Sequence, residues 1–248
     1  MKLEGQVAIV TGAGRNIGEE IAKLFAAEGA RVAVVDLDGG RGDAVAAAIG
    51  AGGGEAASFV ADVSNSDDVQ GLIAAVVERF GRIDILVNNV AISDNRDVLE
   101  ITEEEWDRTI AVTLTAPFLM AKYAAHRMVE QGSGGKIVNI GSTSGHRGRA
   151  SAVAYSAAKG GVANLTRSLA YQLAPHGIRV NTVSPNKTGS AVGQQDVDPN
   201  RPVTNLAGRP GVPADTARAV LFLVSDDSDF IIGQNLFADG GVTAMEVG

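Results

Sequence analysis

Val7-Ala8-Ile9-Val10-Thr11-Gly12-Ala13-Gly14-Arg15-Asn16-Ile17-Gly18 is the stretch on which the reading of the fold turns. It opens with an apolar, mostly β-branched run that has no polar alternation. Such a strand is covered on both faces, which is the condition of a parallel sheet. The run passes into a glycine-rich turn, and Ile17–Glu28 follows with Ile21, Leu24 and Phe25 on one helical face and Gly29 as the stop signal. Glycines at such a turn let the backbone approach a pyrophosphate closely, and the free N–H groups of the helix start supply an anion site.

The same alternation runs along the whole chain. Arg31–Asp36, Ser58–Asp62, Ile83–Asn88, Lys136–Ile140, Ile178–Ser184 and Asn235–Ala238 read as further strands. Between them, Asp67–Phe80 follows the capping candidates Ser64-Asn65-Ser66 and ends at Gly81. Thr102-Glu103-Glu104-Glu105 is a capping box that opens a helix expected to continue through Trp106 to about Glu130. Ser151–Leu173 is a helix ended by Pro175 and Gly177, and Pro213-Ala214-Asp215 begins a last one through Leu223. Strand–helix alternation of this kind predicts an α/β fold with a doubly wound parallel sheet. No linker divides residues 1–248, so a single domain is expected, with the aperiodic stretch Asn186–Pro213 as a lid over the substrate.

Composition narrows the function classes. The chain has 248 residues with 21 basic and 29 acidic side chains, a net charge of −8, which argues against a nucleic-acid or anionic-membrane surface. With no Cys, disulfides, thiolate metal sites and cysteine nucleophiles are excluded. His126, His146 and His176 lie in separate segments without metal-ligand spacing, so no metal is expected, and no Gly-x-Ser-x-Gly elbow supports acyl hydrolysis. No apolar run approaches the ~18–20 residues that span a bilayer and no leader pattern is present, so a soluble cytoplasmic protein is expected.

Two groups of residues carry chemistry. Asp36 ends the second strand run, where an acid accepts hydrogen bonds from a ribose 2′-hydroxyl and repels a 2′-phosphate; a turn residue or helix cap would use the same side chain. Tyr155 and Lys159 are at i and i+4 of a helical segment and share a face. A phenol is a poor base near neutral pH unless a positive neighbour stabilises the phenolate, and Lys159 is expected to do so. Tyr155 then has a route to act as general acid for ketone reduction or base for alcohol oxidation, with Ser142, just after the strand Lys136–Ile140, holding the substrate oxygen.

Thr11–Gly18 resembles the TGxxxGxG cofactor signature of the short-chain dehydrogenase/reductase family. Asp62-Val63, Asn88-Asn89, Tyr155-Ser156-Ala157-Ala158-Lys159, Asn181-Thr182-Val183-Ser184-Pro185 and Asp239-Gly240-Gly241 match in family order, over essentially the whole chain. The resemblance implies a three-layer Rossmann fold with a seven-stranded sheet, a nicotinamide cofactor and usually a homotetramer, with a homodimer as the smaller option. It implies a cofactor site of Gly12, Gly14, Arg15, Asn16, Ile17, Gly18, Asp36, Leu37, Asp62, Val63, Asn89 and Pro185, together with Tyr155 and Lys159. Asp62 and Val63 would bracket the adenine, and Asn88 and Asn89 would lie behind the cofactor. Asp36 followed by Leu37 resembles NAD-preferring members, whereas Arg15 leaves NADP possible. Four positions depart from the family pattern: Asn16, Ala91 and Asn186 replace glycines, and Thr113 replaces the Asn that normally holds a relay water for the Lys.

The expected activity is oxidoreduction between a secondary alcohol and a ketone through Ser142, Tyr155, Lys159 and Thr113. The alternatives are reduction of a 3-oxoacyl thioester on an acyl carrier, or a dinucleotide-binding sensor with weak turnover. The segments expected at the pocket are polar, with Ser93, Asp94, Asn95, Arg96, His146, Gln194 and Gln195, which points to a small polar carbonyl or alcohol substrate. Arg147, Arg149 and Lys187 read equally as an anion site, as solvated side chains or as bridges between subunits. The small residues of Ser151–Leu173, among them Ala157, Gly160 and Gly161, are expected at a subunit interface.

Overall fold

The computed structural model describes residues 1–189, 192 and 202–245. Seven strands form one all-parallel sheet: β1 (Val7–Thr11), β2 (Arg31–Asp36), β3 (Glu55–Val60), β4 (Ile85–Asn88), β5 (Gly135–Ile140), β6 (Ile178–Pro185) and β7 (Asn235–Ala238). Their order is β3-β2-β1-β4-β5-β6-β7, the doubly wound arrangement that the alternating pattern predicts. The helices are α1 (Asn16–Ala27), α2 (Gly39–Ala51), α3 (Ser66–Phe80), α4 (Glu103–Ile110), α5 (Ala116–Gln131), α6 (Val153–Leu173) and α7 (Pro213–Val224). No helix among the described residues is long and apolar enough to cross a membrane.

Both faces of the sheet are covered, as the non-alternating strands require. In β1, Ala8 and Val10 enter a core with Ile21 and Phe25 of α1 and Val220 and Val224 of α7. Val7 and Ile9 enter a second core with Val69 and Val76 of α3 and Met120 and Met128 of α5. Asn65 caps α3 by accepting from the Asp67 and Asp68 amides, and Gly81 closes it in the left-handed conformation. The Thr102–Glu105 capping box forms in both directions, at 3.2 and 3.1 Å.

Three expectations are corrected here. The third strand lies earlier than Ser58–Asp62, at Glu55–Val60, because it pairs with β2 from Arg31↔Glu55 onward. The last long helix but two does not run unbroken from Thr102 to Glu130: a π-helical turn, Ala111–Thr115, separates α4 from α5. Its cause is legible in retrospect, since Pro117 has no N–H to offer the carbonyl of Thr113 and the α-helical ladder must shift there. The Ser151–Leu173 helix starts at Val153, after Ala152 in the left-handed region at φ +67°.

A buried polar row crosses the sheet near its carboxyl edge. Asn88, Asn139, Thr182 and Asn235 are register partners on four adjacent strands. Asn88 Nδ2 donates to Asn139 Oδ1 at 2.9 Å, and Asn139 Nδ2 donates to Thr166 Oγ1 of α6 at 2.9 Å. Thr166 Oγ1 and Thr182 Oγ1 share a hydrogen bond of 2.8 Å. Removing the middle of such a network strands buried polar atoms on both sides. Asn139→Ala should therefore lower unfolding stability by about 2–4 kcal/mol, read as a shift of the urea midpoint at constant m-value.

Candidate active site

The glycine turn after β1 is held from three sides. A Cβ at Gly18 would lie 2.1 Å from the Gly12 carbonyl oxygen, so only hydrogen fits where the first turn of α1 meets the loop. Asn16 adopts φ +54°, the left-handed conformation its side chain tolerates, and thus does the work of the glycine it replaces. Asn89 Nδ2 donates to the carbonyls of Thr11 and Gly12 at 3.0 and 3.1 Å. From the other side, the Asp36 carboxylate accepts from the amides of Gly14 at 2.9 Å and Asp38 at 3.0 Å.

Over this turn lies a cleft of about 330 Å³. Gly12, Arg15, Asn16, Ile17, Asp36, Leu37, Asn89, Tyr155, Lys159 and Pro185 line it, so the structure brings most of the expected cofactor residues together. Gly14 and Gly18 shape its floor without lining it. Asp62 and Val63 stand apart. The exposed Asp62 carboxylate accepts from the amide and hydroxyl of Ser64, and Val63 is buried in the core beside α3. A glycine-rich loop at the start of a helix, with an acid across from it, fits a dinucleotide.

Tyr155 sits in the first turn of α6. The helix start has no capping side chain of its own, because its cap position is Ala152. Asp94, from the segment after β4, takes that place: its carboxylate accepts from the Tyr155 amide at 3.1 Å and the Ala154 amide at 3.4 Å. Burial raises the Tyr155 pKa, and a hydrogen bond with Ser142 and the positive charge of Arg149 act against that rise. Ser142 Oγ also accepts from the Ser144 amide at 3.1 Å.

Lys159 is one turn further along α6 and buried. Its Nζ donates to the Ile140 carbonyl at 2.5 Å and lies 5.8 Å from the centroid of the Tyr155 ring. Burial lowers its pKa from the ordinary 10.5 to about 7. In the protein alone, desolvation dominates at both groups, in opposite directions.

Thr113, in the π-helical turn, is not turned toward Lys159. Its hydroxyl donates to the Ile92 carbonyl at 3.1 Å and accepts from the Ile92 amide at 3.2 Å. The one proton of the hydroxyl and one of its two lone pairs are used in pinning the segment after β4, so it has no proton to donate into a relay in this arrangement.

A second cavity, of about 320 Å³, opens on the other side of Tyr155. It shares Ile17, Tyr155, Pro185, Thr188 and Val192 with the cofactor cleft, and Ser142 stands on its wall. Asn186 lines it too, with its amide donating to Thr143 Oγ1 at 2.7 Å. A Thr188↔Gly211 bridge closes the base of the expected lid. Residues 190, 191 and 193–201 of the lid, with Gln194 and Gln195, lie outside the described residues.

With this geometry in place, comparison with known proteins is decisive. The family model described as enoyl-(acyl carrier protein) reductase matches residues 12–243. The chain resembles a crystal structure of a short-chain type dehydrogenase/reductase from Mycobacterium marinum, with TM-score 0.90 and 33% identity over 98% of this chain and 97% of that one. The chain belongs to the short-chain dehydrogenase/reductase family. Its relatives include 2-(S)-hydroxypropyl-CoM dehydrogenase 3 of Xanthobacter autotrophicus, 40% identical over 98% of this chain and 99% of that protein. D-threitol dehydrogenase of Mycolicibacterium smegmatis is 39% identical, over 98% and 94%.

Within this short-chain dehydrogenase/reductase, Asp94 was expected at the pocket by sequence but not as the cap of α6, and Arg41 and Thr188 are cavity-lining residues that sequence reasoning did not single out. Arg41 lines the cofactor cleft, and Thr188 stands where the two cavities meet. No local signal marks them, because each acts across a tertiary contact. Among the described residues no cluster of three His, Cys, Asp or Glu could hold a metal.

The Lys159 environment yields a test with a definite sign. Below pH 7 the ammonium is charged in folded and unfolded chains, and burial then penalises the folded state in full. Between pH 7 and 10.5 the folded chain alone is neutral, so this penalty shrinks as pH rises and vanishes above 10.5. Lys159→Met should accordingly raise Tm relative to the unaltered protein most at pH 6, with the gain falling steadily toward pH 10. A pH-independent difference in thermal melts would overturn it.

Proposed function

We propose that this oxidoreductase interconverts a secondary alcohol and a ketone on a small polar substrate, with a nicotinamide dinucleotide and with Tyr155 as general acid/base. The observation that carries the reading is the place of the Tyr155 hydroxyl, where a glycine-floored cleft adjoins a polar cavity and Ser142 is within hydrogen-bond reach. The names of relatives that are dehydrogenases of hydroxypropyl-CoM and D-threitol support it.

The cofactor is held by the backbone of Gly12 to Gly18 at the start of α1, by Asp36 at a ribose and by Asn89 and Pro185 toward the reacting end. When bound, the dinucleotide supplies the acceptor or donor of the hydride. The protein supplies the proton chemistry. In oxidation the Tyr155 oxygen takes the hydroxyl proton of the alcohol, and in reduction it returns a proton to the carbonyl oxygen. Ser142 Oγ holds that oxygen in both directions. Lys159, with a pKa lowered to about 7, can carry a proton near neutral pH without a large change in free energy. Because burial raises the Tyr155 pKa, the rate of oxidation should climb into the alkaline range.

All these parts lie in a single domain, and the exposed Phe118 of α5 and Tyr171 of α6 support its assembly as a homodimer or homotetramer. A cytoplasmic location belongs to the same reading. Reduction of a 3-oxoacyl thioester is the second reading, favoured by the description of the matched family model. Among the described residues the cavity beside Tyr155 is lined mostly by polar and charged side chains, which favours a polar substrate over a long acyl chain.

Tyr155→Phe removes the proton donor while keeping the ring. It should reduce kcat/KM for ketone reduction and alcohol oxidation by about 10²–10⁴-fold, with cofactor affinity retained in fluorescence titrations. Equal rates for the two proteins remove Tyr155 from the mechanism. For the cofactor, NAD is favoured by the Asp36 charge. Asp36→Asn should lower the ratio of kcat/KM with NAD to kcat/KM with NADP by about tenfold or more. The ratio is the readout because Asp36 also holds the Gly14 amide, and damage to the loop affects both cofactors alike.

A further inference from the structure

The cavity beside Tyr155 goes against the charge of the rest of the molecule. In a chain of net charge −8, its wall carries three cations, Arg147, Arg149 and Lys187, and no carboxylate among the described residues. Ion pairs occur elsewhere on the surface, and none among the described residues uses any of these three. Their hydrogen bonds are few, long and neutral. Arg147 Nη1 reaches the Val242 carbonyl at 3.4 Å, Arg149 Nη1 the Ser144 hydroxyl at 3.4 Å, and Lys187 Nζ the Thr204 hydroxyl at 3.5 Å. A guanidinium has five N–H donors and an ammonium three, so most of their donors are unused.

Two further observations bear on recognition. Arg149 is solvent-exposed at the mouth of the cavity, yet its charge acts at the buried Tyr155 hydroxyl. Lys187 is held at φ +46° and Asn95, on the same cavity, at φ +53°. Left-handed backbone is tolerated by Asn but costly at Lys, where it persists because the surroundings over-determine it, typically at ligand clamps. Charged donors around a polar cavity, without counter-charge among the described residues, fit an anion of the ligand.

We propose that this cavity selects substrates bearing a compact anion, a carboxylate, phosphate or sulfonate, a few carbon atoms from the hydroxyl or carbonyl carbon that reacts. The proposal deepens the alcohol–ketone reading given above and rests on it for the position of the reacting carbon. Arg149 is placed to read the anion nearest Tyr155, with Arg147 and Lys187 on the remaining wall and the amide of Asn186 as a neutral partner.

Matched pairs test the charge directly: 3-hydroxybutyrate against its methyl ester, dihydroxyacetone phosphate against dihydroxyacetone, and 2-hydroxypropanesulfonate against propan-2-ol. At low ionic strength kcat/KM for the anionic member of at least one pair should exceed that of its neutral partner by about tenfold or more, chiefly through KM. The pair with the largest ratio names the anion. The ratio should fall toward one in Arg147→Gln, Arg149→Gln and Lys187→Gln, and in high salt. Neutral members used as well as anionic ones overturn the proposal and leave the oxidoreductase reading standing. A second measurement does not need turnover: calorimetric titration of the NAD-saturated protein with acetate, methylphosphonate and methanesulfonate, with acetamide as the neutral control. Saturable binding of an anion, lost in the Arg147→Gln/Arg149→Gln double variant, supports the site even if none of the pairs reacts, in which case the oxidoreductase reading alone fails. Absence of saturable anion binding, or binding that survives in the double variant, overturns the anion site.

Discussion

A parallel sheet buried on both faces brings all its strand ends to one edge, and everything else in this molecule follows from that constraint. Right-handed crossovers return every helix to the amino edge before the next strand starts. The carboxyl edge is therefore the one place where loops from distant parts of the chain can meet. Thr11, Asp36, Ile140 and Pro185 end four of the strands, and each borders the cleft over the glycine turn or supports a residue that does. The row from Asn88 through Asn139 to Thr182 and Thr166 fixes the height at which α6 lies on the sheet. That height in turn sets where Tyr155 and Lys159 stand.

The site uses the dry interior as a reagent. Lys159 has a carbonyl and no carboxylate for company, so burial rather than a charged partner sets its proton affinity. Tyr155 is buried with Ser142 and within the field of Arg149. Desolvation moves the phenol up and the ammonium down, which keeps both neutral forms accessible near physiological pH. A positive charge brought close to Tyr155 would bring the phenol back down, so the proton chemistry of the site depends on what else is bound there.

Much of the fold was legible because its signals are local. Continuous β-branched runs, capping residues at Asn65 and Thr102, and the stop at Gly81 each report on their own neighbours. Asn16 was legible for the same reason: its tolerance of left-handed backbone is a property of one side chain. The π-helical turn at Ala111–Thr115 was missed because its flanks are ordinary helix formers and the effect of Pro117 is felt four residues earlier. Asp94 as the cap of α6, and the engagement of Thr113 by Ile92, are contacts between segments far apart in sequence, and residue type alone does not announce them. Gly161 has a reason within the chain that its residue type does not announce: a Cβ there would meet Leu114 at 2.8 Å.

Among the described residues, the non-glycine residues with left-handed backbone are Asn16, Asn95, Ala152 and Lys187. Asn16 borders the cofactor cleft, Asn95 and Lys187 border the substrate cavity, and Ala152 begins the helix that carries Tyr155. Conformational energy, chiefly at Ala152 and Lys187, is thus concentrated around the cavities beside Tyr155 while the two apolar cores hold the frame. On warming, the segments bearing that energy let go first. Heat should silence this protein before it melts it, with inactivation arriving several degrees ahead of the loss of the sheet.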